Sequence, residues 1–379
     1  MSHDEMKVVL LHAYRRSNSG DGLLVDAAAQ MVREALPGAR IRLISLEPGS
    51  FPEYPGGLHP LGGERGSMTV GGLLRSGLLR RPHPLVEEEI RSAALAVAVG
   101  GGYMRMGTFS EGLKTVLAHI AQTPQSRIET PYIYLPQSIG PFPSSVPVGI
   151  RRLRRAREVF VRDDRSREEL QAVGVTSERV PDLAVMRLAS EGIVSQQPTA
   201  EGTGLIARSL TGRSDSYHPR LRRLVADLKP ELLVQSRGAG NDDPAFYSSM
   251  GWTGDHRSAR DALHGSRKPK VVVSVRLHGA LQSILAGVPA VHLSYERKGW
   301  GAYEDIGISP YVHNAWTFDP DLVASQVREL AEDATSYWDA ISAELPRVEA
   351  ARNRVIAAIR DTARETFPPA SSGASNGER

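Results

Sequence analysis

The chain has 379 residues, 41% hydrophobic and 23% charged, a globular composition long enough for two domains with ordinary cores. A net charge of +3 is too small to point to nucleic acid, and the absence of cysteine removes disulfides and thiolate metal sites. No apolar run reaches the ~18 residues of a membrane span. The opening MSHDEMKVVLL has none of the marks of a signal peptide, so a cytoplasmic location is expected.

Taken in chain order, short apolar runs alternate with helical segments. Residues 7–13 read as a strand. Residues 21–36 read as a helix, with Val25, Ala28, Ala29, Val32 and Leu36 on one face and Pro37-Gly38 ending it. A strand over 41–46 and a Gly/Pro-rich loop over 47–69 follow. Further strands are expected at 95–99, 132–135 and 158–161, with a helix at 110–121. Apolar strands spaced by helices predict a parallel sheet covered on both faces. The polar stretch 187–203 reads as a linker. The pattern then restarts, with strands at 204–207, 232–235, 270–274 and 290–293 and helices at 220–228, 258–264, 279–286, 319–330 and 337–360. The Ser/Gly-rich end, 368–379, reads as disordered. The expected architecture is two doubly wound α/β domains, 1–186 and 204–367, facing across a cleft. Ligands of such sheets bind beyond the carboxyl ends of the strands.

The residues directly after each strand are therefore the candidates. His12 closes the first strand. Asn18-Ser19-Gly20-Asp21 then opens a helix, a place that favours anions, although Asn18 or Asp21 could simply cap it. Gly100-Gly101-Gly102 permits close backbone approach, and Arg105 lies just beyond. Gln137 and Ser138 follow the 132–135 strand between proline and glycine, suited to a sugar hydroxyl or to a plain structural loop. Arg162 ends an apolar strand, where a buried guanidinium needs an anion: Asp163, Asp164 or Asp182 within the chain, or a ligand phosphate or carboxylate. The segment Ser274-Val275-Arg276-Leu277-His278-Gly279 delivers a fixed cation and an imidazole to a helix start, a combination that binds an anion beside a general acid. Glu296 and Lys298 follow the next strand and reach the same edge. Six of the 46 basic residues are lysines, so Lys298 is an uncommon choice in this chain. The basic run 151–157 and the stretch 73–81 are solvated faces or a peripheral contact with a membrane-borne acceptor at the inner face of the membrane. No metal-ligand spacing, phosphate-binding Walker loop or nucleophile elbow is present, and neither a metal nor a cofactor is expected.

The ordered set Asn18-x-Gly20-Asp21, Gly100–Gly102, Pro136-Gln137-Ser138-x-Gly140-Pro141, Val161-Arg162-x-x-x-Ser166, Pro181-Asp182-Leu183-Ala184, Ser274-x-Arg276-Leu277-His278, Gly287-Val288-Pro289 and Lys298 resembles the polysaccharide pyruvyl transferases. The resemblance implies a fold like that of the two-domain B-type glycosyltransferases. It also implies phosphoenolpyruvate as co-substrate and a sugar or glycoconjugate diol as acceptor, giving a pyruvate ketal. On that analogy His278 is the proton donor, and Arg162, Arg276, Leu277, Lys298 and Ser274 bind the donor. Asn18, Asp21, Gly101, Gly102, Arg105, Gln137 and Ser138 face the acceptor, with Glu296 and His12 as secondary candidates for the acid. The competing readings are a glycosyltransferase using a nucleotide sugar in the same cleft, and a non-catalytic sugar-phosphate binding module.

Overall fold

Six of the seven residues of β1 (Lys7–Ala13) are buried, so both faces of the strand are covered. It lies inside a six-stranded sheet with β2 (Arg40–Ser45), β3 (Leu95–Ala98), β4 (Tyr132–Gln137), β5 (Glu158–Val161) and β6 (Glu178–Arg179). The order is β2-β1-β3-β4-β5-β6, and every neighbouring pair is parallel. The computed structural model describes residues 6–62, 82–102, 104, 115, 119, 122–123, 128–141, 147–193, 200–210, 214–238 and 242–366. The expected helix at 110–121, Arg105, the 73–81 stretch and the 368–379 tail lie wholly or mostly outside the described residues.

Helices α1 (Ser19–Ala35), α2 (Pro84–Arg91), α3 (Pro147–Leu153), α4 (Asp164–Ala172) and α5 (Leu183–Glu191) cross between these strands. One face of the sheet packs Val8, Leu10, Val97, Ile133 and Leu135 with α1 and α5. The other buries Val9, Leu11, Ala96, Tyr132 and Tyr134 beneath α2 and its neighbours. The second sheet contains β7 (Thr203–Ile206), β8 (Glu231–Leu232), β9 (Val271–Ser274), β10 (Ala290–Ser294) and β11 (Val312–Asn314). Its order is β11-β10-β9-β7-β8, again all parallel. Around it lie α6 (Ser214–Leu228), α7 (Asp243–Ser249), α8 (Ala259–His264), α9 (Leu277–Leu285), α10 (Arg297–Asp305), α11 (Pro320–Glu332) and α12 (Thr335–Thr366). Two doubly wound parallel sheets are the architecture expected from the strand and helix alternation.

The structure corrects four expectations. The segment read as linker from residue 187 is helical to Glu191, where Gly192 stops α5 in the left-handed region at φ 74°. Leu183, Ala184, Val185, Met186 and Leu188 are all buried, and the polar residues Arg187, Ser190 and Glu191, bonded to one another on one face, gave its last turn a linker-like composition. The strand expected at 232–235 is only two residues long, because Val234 and Ser236 leave the sheet to bridge Ser258 and Asn18. Residues 297–305, for which no helix was expected, form α10 despite Gly299 and Gly301. Finally, α12 does not stay with the second sheet. Its first turns hydrogen-bond there, Tyr337 Oη donating to the Ala290 carbonyl. Beyond Pro346 it lies on the first domain, where Arg352 pairs with Glu34 and Arg354 with Glu158 and Glu178.

The basic run is likewise no uniform solvated face. Arg152 is buried and donates to the Thr123 carbonyl, Arg154 donates to the Gly174 carbonyl, and Arg157 pairs with Glu365. No helix among the described residues is long and apolar enough to cross a membrane.

Candidate active site

In each sheet the strand order reverses beside the strand that opens it, β1 against β3 in the first and β7 against β9 in the second. Loops at such a reversal splay apart and leave a crevice at the carboxyl ends. The two crevices face one another and form one cleft of about 330 Å³. The first sheet contributes Tyr14, Arg15, Asn18 and Asp21 after β1, Gly101 and Gly102 after β3, and Arg162 after β5. The second contributes Arg208 after β7, Gln235 to Gly238 after β8, Arg276 to His278 after β9, and Tyr295, Glu296 and Lys298 after β10. Ten expected site residues thus meet at one place: Asn18, Asp21, Gly101, Gly102, Arg162, Arg276, Leu277, His278, Glu296 and Lys298.

His278 sits in the first turn of α9, whose amino end is Arg276. The first turn of α1 packs directly on it. A Cβ added at Gly20 would lie 2.9 Å from both Cβ and Nδ1 of His278, so only glycine fits there. The imidazole Nε2 is 3.8 Å from Asp182 Oδ2, too far for a hydrogen bond and close enough for an ion pair once the ring is protonated. Asp182 itself is buried. It caps α5 by accepting from the Ala184 amide at 2.8 Å, and it pairs with Arg162. Burial alone would push its carboxyl up, but the Arg162 guanidinium and the His278 ring outweigh burial and hold it well below the ordinary carboxylate range.

Arg162 and Arg276 have matching settings. Arg162 donates through Nη1 to Asp182 and through Nε to Ser138 Oγ at 3.0 Å. Arg276 donates through Nε and Nη2 to Oδ1 of the buried Asp243, whose other oxygen accepts the amides of Gln235 and Ser236. Each guanidinium keeps one nitrogen out of these bonds, Nη2 of Arg162 and Nη1 of Arg276. Each is therefore a fixed donor whose own charge is already countered within the fold. Lys298 pairs with Glu296 at 2.7 Å.

Three further cations line the cleft that strand-end reasoning did not single out as site residues: Arg15, Arg208 and Arg237. None has a carboxylate partner among the described residues. Arg208 is steadied by Tyr295, donating to its hydroxyl at 3.1 Å and lying 5.4 Å over its ring. The signal that marks them is position, since Arg208 and Arg237 also follow carboxyl ends of strands.

Other expected site residues fall elsewhere. Gln137 is fully buried and outside the cleft. Ser138 joins Arg162 to Asp163, its hydroxyl donating to the Asp163 carboxylate at 2.6 Å, and it lines a neighbouring pocket with Arg165, Arg297 and Lys298. Ser274 is buried and accepts the Arg276 amide at 3.2 Å, shaping the turn that presents Arg276 and His278. His12, at φ 69°, lies behind the cleft, where its ring contacts His119. Burial pushes its pKa down to about 3, so it is neutral and cannot serve as the acid.

Two facing doubly wound parallel-sheet domains give the chain the fold of the B-type glycosyltransferases. The chain belongs to the polysaccharide pyruvyl transferase family, whose profile matches residues 18–297, from the cap of α1 to the start of α10. This is a family of transferases. No curated protein sequence is significantly similar. Among solved structures the chain is similar to a protein described as a UDP-N-acetylglucosamine 2-epimerase from Listeria monocytogenes, at TM-score 0.57 and 14% identity over 95% of this chain and 97% of that one. It is similar also to MnaA of S. aureus in complex with UDP, at TM-score 0.51 and 11% identity over 93% and 95% of the two chains. A third likeness is to Arabidopsis thaliana UGT89C1 complexed with UDP, at TM-score 0.51 and 10% identity over 94% and 100%. At these identities the likeness is one of fold.

Proposed function

We propose that the protein transfers the enolpyruvyl group of phosphoenolpyruvate onto a sugar diol, forming a pyruvate ketal and releasing phosphate, in the modification of a polysaccharide or glycoconjugate. The observation that carries this reading is the meeting of an imidazole at a helix start with two anchored guanidinium groups and three arginines that have no carboxylate partner among the described residues, all in one cleft. The donor is a trianion at neutral pH, and such a cleft is built for it.

The chemistry assigns the roles. Addition across the enol phosphate begins with protonation of the methylene carbon, the step for which His278 serves as acid. Asp182, at 3.8 Å, is the counter-ion that keeps the protonated ring in position. Positive charge then develops at the carbon bearing phosphate, and a sugar hydroxyl adds there. Phosphate departs toward the arginines, and the second hydroxyl closes the ring. Arg162 and Arg276, held by Asp182 and Asp243, orient the donor without moving during the reaction, which is what electrostatic preorganisation requires. Arg15, Arg208, Arg237 and Lys298 supply the charge that receives the leaving phosphate.

The test is to incubate the protein with phosphoenolpyruvate and a panel of glycosides and to measure released phosphate. Phosphate released only with a sugar acceptor supports the reading. Turnover of a nucleotide sugar with no phosphoenolpyruvate consumption would establish the glycosyltransferase reading in its place.

A further inference from the structure

We propose that Asp21 is the catalytic base that removes the proton from the attacking sugar hydroxyl. The inference rests on the ketal-forming reading above and adds the group that the acceptor half of the reaction lacks. Asp21 is in the first turn of α1 and lines the same cleft as His278. The capping role is filled by Asn18, whose side chain accepts from the Gly20 amide at 3.3 Å, so Asp21 is not held there as the cap.

The carboxylates around the cleft differ in one respect. Asp182 is paired with Arg162, Asp243 with Arg276, and Glu296 with Lys298. A carboxylate so paired is a poor base, because the cation stabilises its charged form. Asp21 forms no ion pair among the described residues. Among the described residues its Oδ2 accepts one hydrogen bond, from Asn18 Nδ2 at 3.0 Å, and its Oδ1 accepts none. The charged groups that act on it from neighbouring elements are His278 on α9, Arg15 after β1 and Lys298 on α10. Burial outweighs those three groups and the Asn18 hydrogen bond and leaves its pKa raised to about 6. Such a carboxylate is ionised at neutral pH yet more basic than an ordinary one, the poise a general base needs.

The steps balance. His278 gives a proton to the methylene carbon, which becomes the methyl group. The first hydroxyl oxygen bonds to the central carbon as Asp21 takes its proton. The bond from that carbon to the phosphate oxygen then breaks, its electron pair leaving with phosphate. The second hydroxyl oxygen bonds to the same carbon and returns a proton to His278. The proton on Asp21 leaves with the phosphate as hydrogen phosphate. One donor and one diol thus give one ketal and one hydrogen phosphate, with both catalytic groups restored.

The experiment is phosphate release by wild type and Asp21→Asn at saturating phosphoenolpyruvate and acceptor, from roughly pH 5 to pH 8. Folding is checked by circular dichroism and donor binding by calorimetry. The expected result is a fall in kcat of roughly 10²–10⁴-fold with KM for both substrates changed no more than a few-fold, and loss of the acid-side limb of the wild-type kcat profile. The proposal is overturned if the folded variant keeps near-wild-type kcat, if the acid-side limb persists in it, or if only the acceptor KM rises. Failure of the wild-type protein to release phosphate with any acceptor overturns the ketal-forming reading itself. A working wild type with an unimpaired Asp21→Asn overturns the base assignment alone.

Discussion

Ser19 and Gln282 join the two domains by a pair of hydrogen bonds: Ser19 Oγ donates to Gln282 Oε1 at 3.0 Å, and Gln282 Nε2 donates to the Ser19 carbonyl at 2.9 Å. They fix the first turn of α1 against α9, one residue from Gly20 and two from Asp21. The position of Asp21 relative to His278 is thereby set by a contact between domains. Gly20→Ala is the sharpest probe of it. The added methyl would stand 2.9 Å from His278 Cβ and Nδ1 and 3.2 Å from Gln235 Nε2, so the two helices must part. We expect kcat to fall by roughly tenfold to a hundredfold, as a misplacement near 1 Å produces, with a stability loss of about 1–3 kcal/mol. Unchanged turnover in Gly20→Ala would show that the spacing of the two helix starts is not critical.

The two arginine–aspartate pairs separate anchoring from binding. Arg276→Ala should weaken phosphoenolpyruvate by roughly tenfold to a hundredfold, the worth of one charge-assisted bond at ~1.5–3 kcal/mol. Asp243→Ala leaves Arg276 charged and buried without its counter-ion, which costs about 3–5 kcal/mol of folding stability. Titration of the donor by calorimetry and thermal unfolding of both variants check this. Equal donor affinity in wild type and a folded Arg276→Ala would remove Arg276 from the donor site.

His278→Gln should lower turnover by roughly 10²–10⁴-fold with little change in donor affinity. In heavy water the wild-type product should carry solvent deuterium in the ketal methyl group, because the added proton comes from an exchangeable group. Collapse of donor binding with intact single-turnover chemistry would instead make His278 a phosphate ligand, and Lys298 would be the next acid to test.

Asp21 and His12 should move stability with pH in opposite senses. Asp21 ionises near 6 in the folded chain against 3.8 for an ordinary aspartate, so its charge costs folding energy that builds as pH rises from about 4 to about 6. Asp21→Asn should therefore have a higher Tm than wild type at pH 7, with the two converging near pH 4. His12 binds its proton only near pH 3 when folded, against 6.5 when unfolded, so it draws stability away as pH falls below 6.5. His12→Gln should flatten that acid-side loss. A Tm difference between Asp21→Asn and wild type that is independent of pH would contradict the burial of the Asp21 carboxyl.

Much of the site was legible because strand ends are legible. The run Val271-Val272-Val273 followed by a polar turn marks its own carboxyl end, so Arg276 and His278 could be placed before any fold was known. Arg162 after Val159–Val161 was equally plain. Its partner was not, since Asp163, Asp164 and Asp182 were all open, and the choice of Asp182 depends on β6 pairing beside β5 and returning the cap of α5 to the strand end. Gln137 has the same sequence setting as Ser138 yet turns into the interior, a difference of one residue in strand register that composition does not encode. Arg208 and Arg237 follow the strands expected at 204–207 and 232–235, observed over four and two residues, but no second titratable residue beside either marked it out. The path of α12 was hidden for another reason. Its apolar spacing shows that it is an amphipathic helix and says nothing about which sheet it covers.

That path has a consequence for how the chain acquires its shape. Val348, Val355, Ile356, Ile359 and Ala363, all buried, lie beyond Pro346, where α12 rests on the first domain against Glu34 on α1 and Glu158 on β5. The first domain emerges from the ribosome early but lacks one wall until the whole of the second has been made. During synthesis it must wait with an apolar face uncovered, a state prone to wrong contacts. The last long helix acts as a clasp: when it closes, both halves become complete at once, and the spacing between Asp21 and His278 is set in the same event.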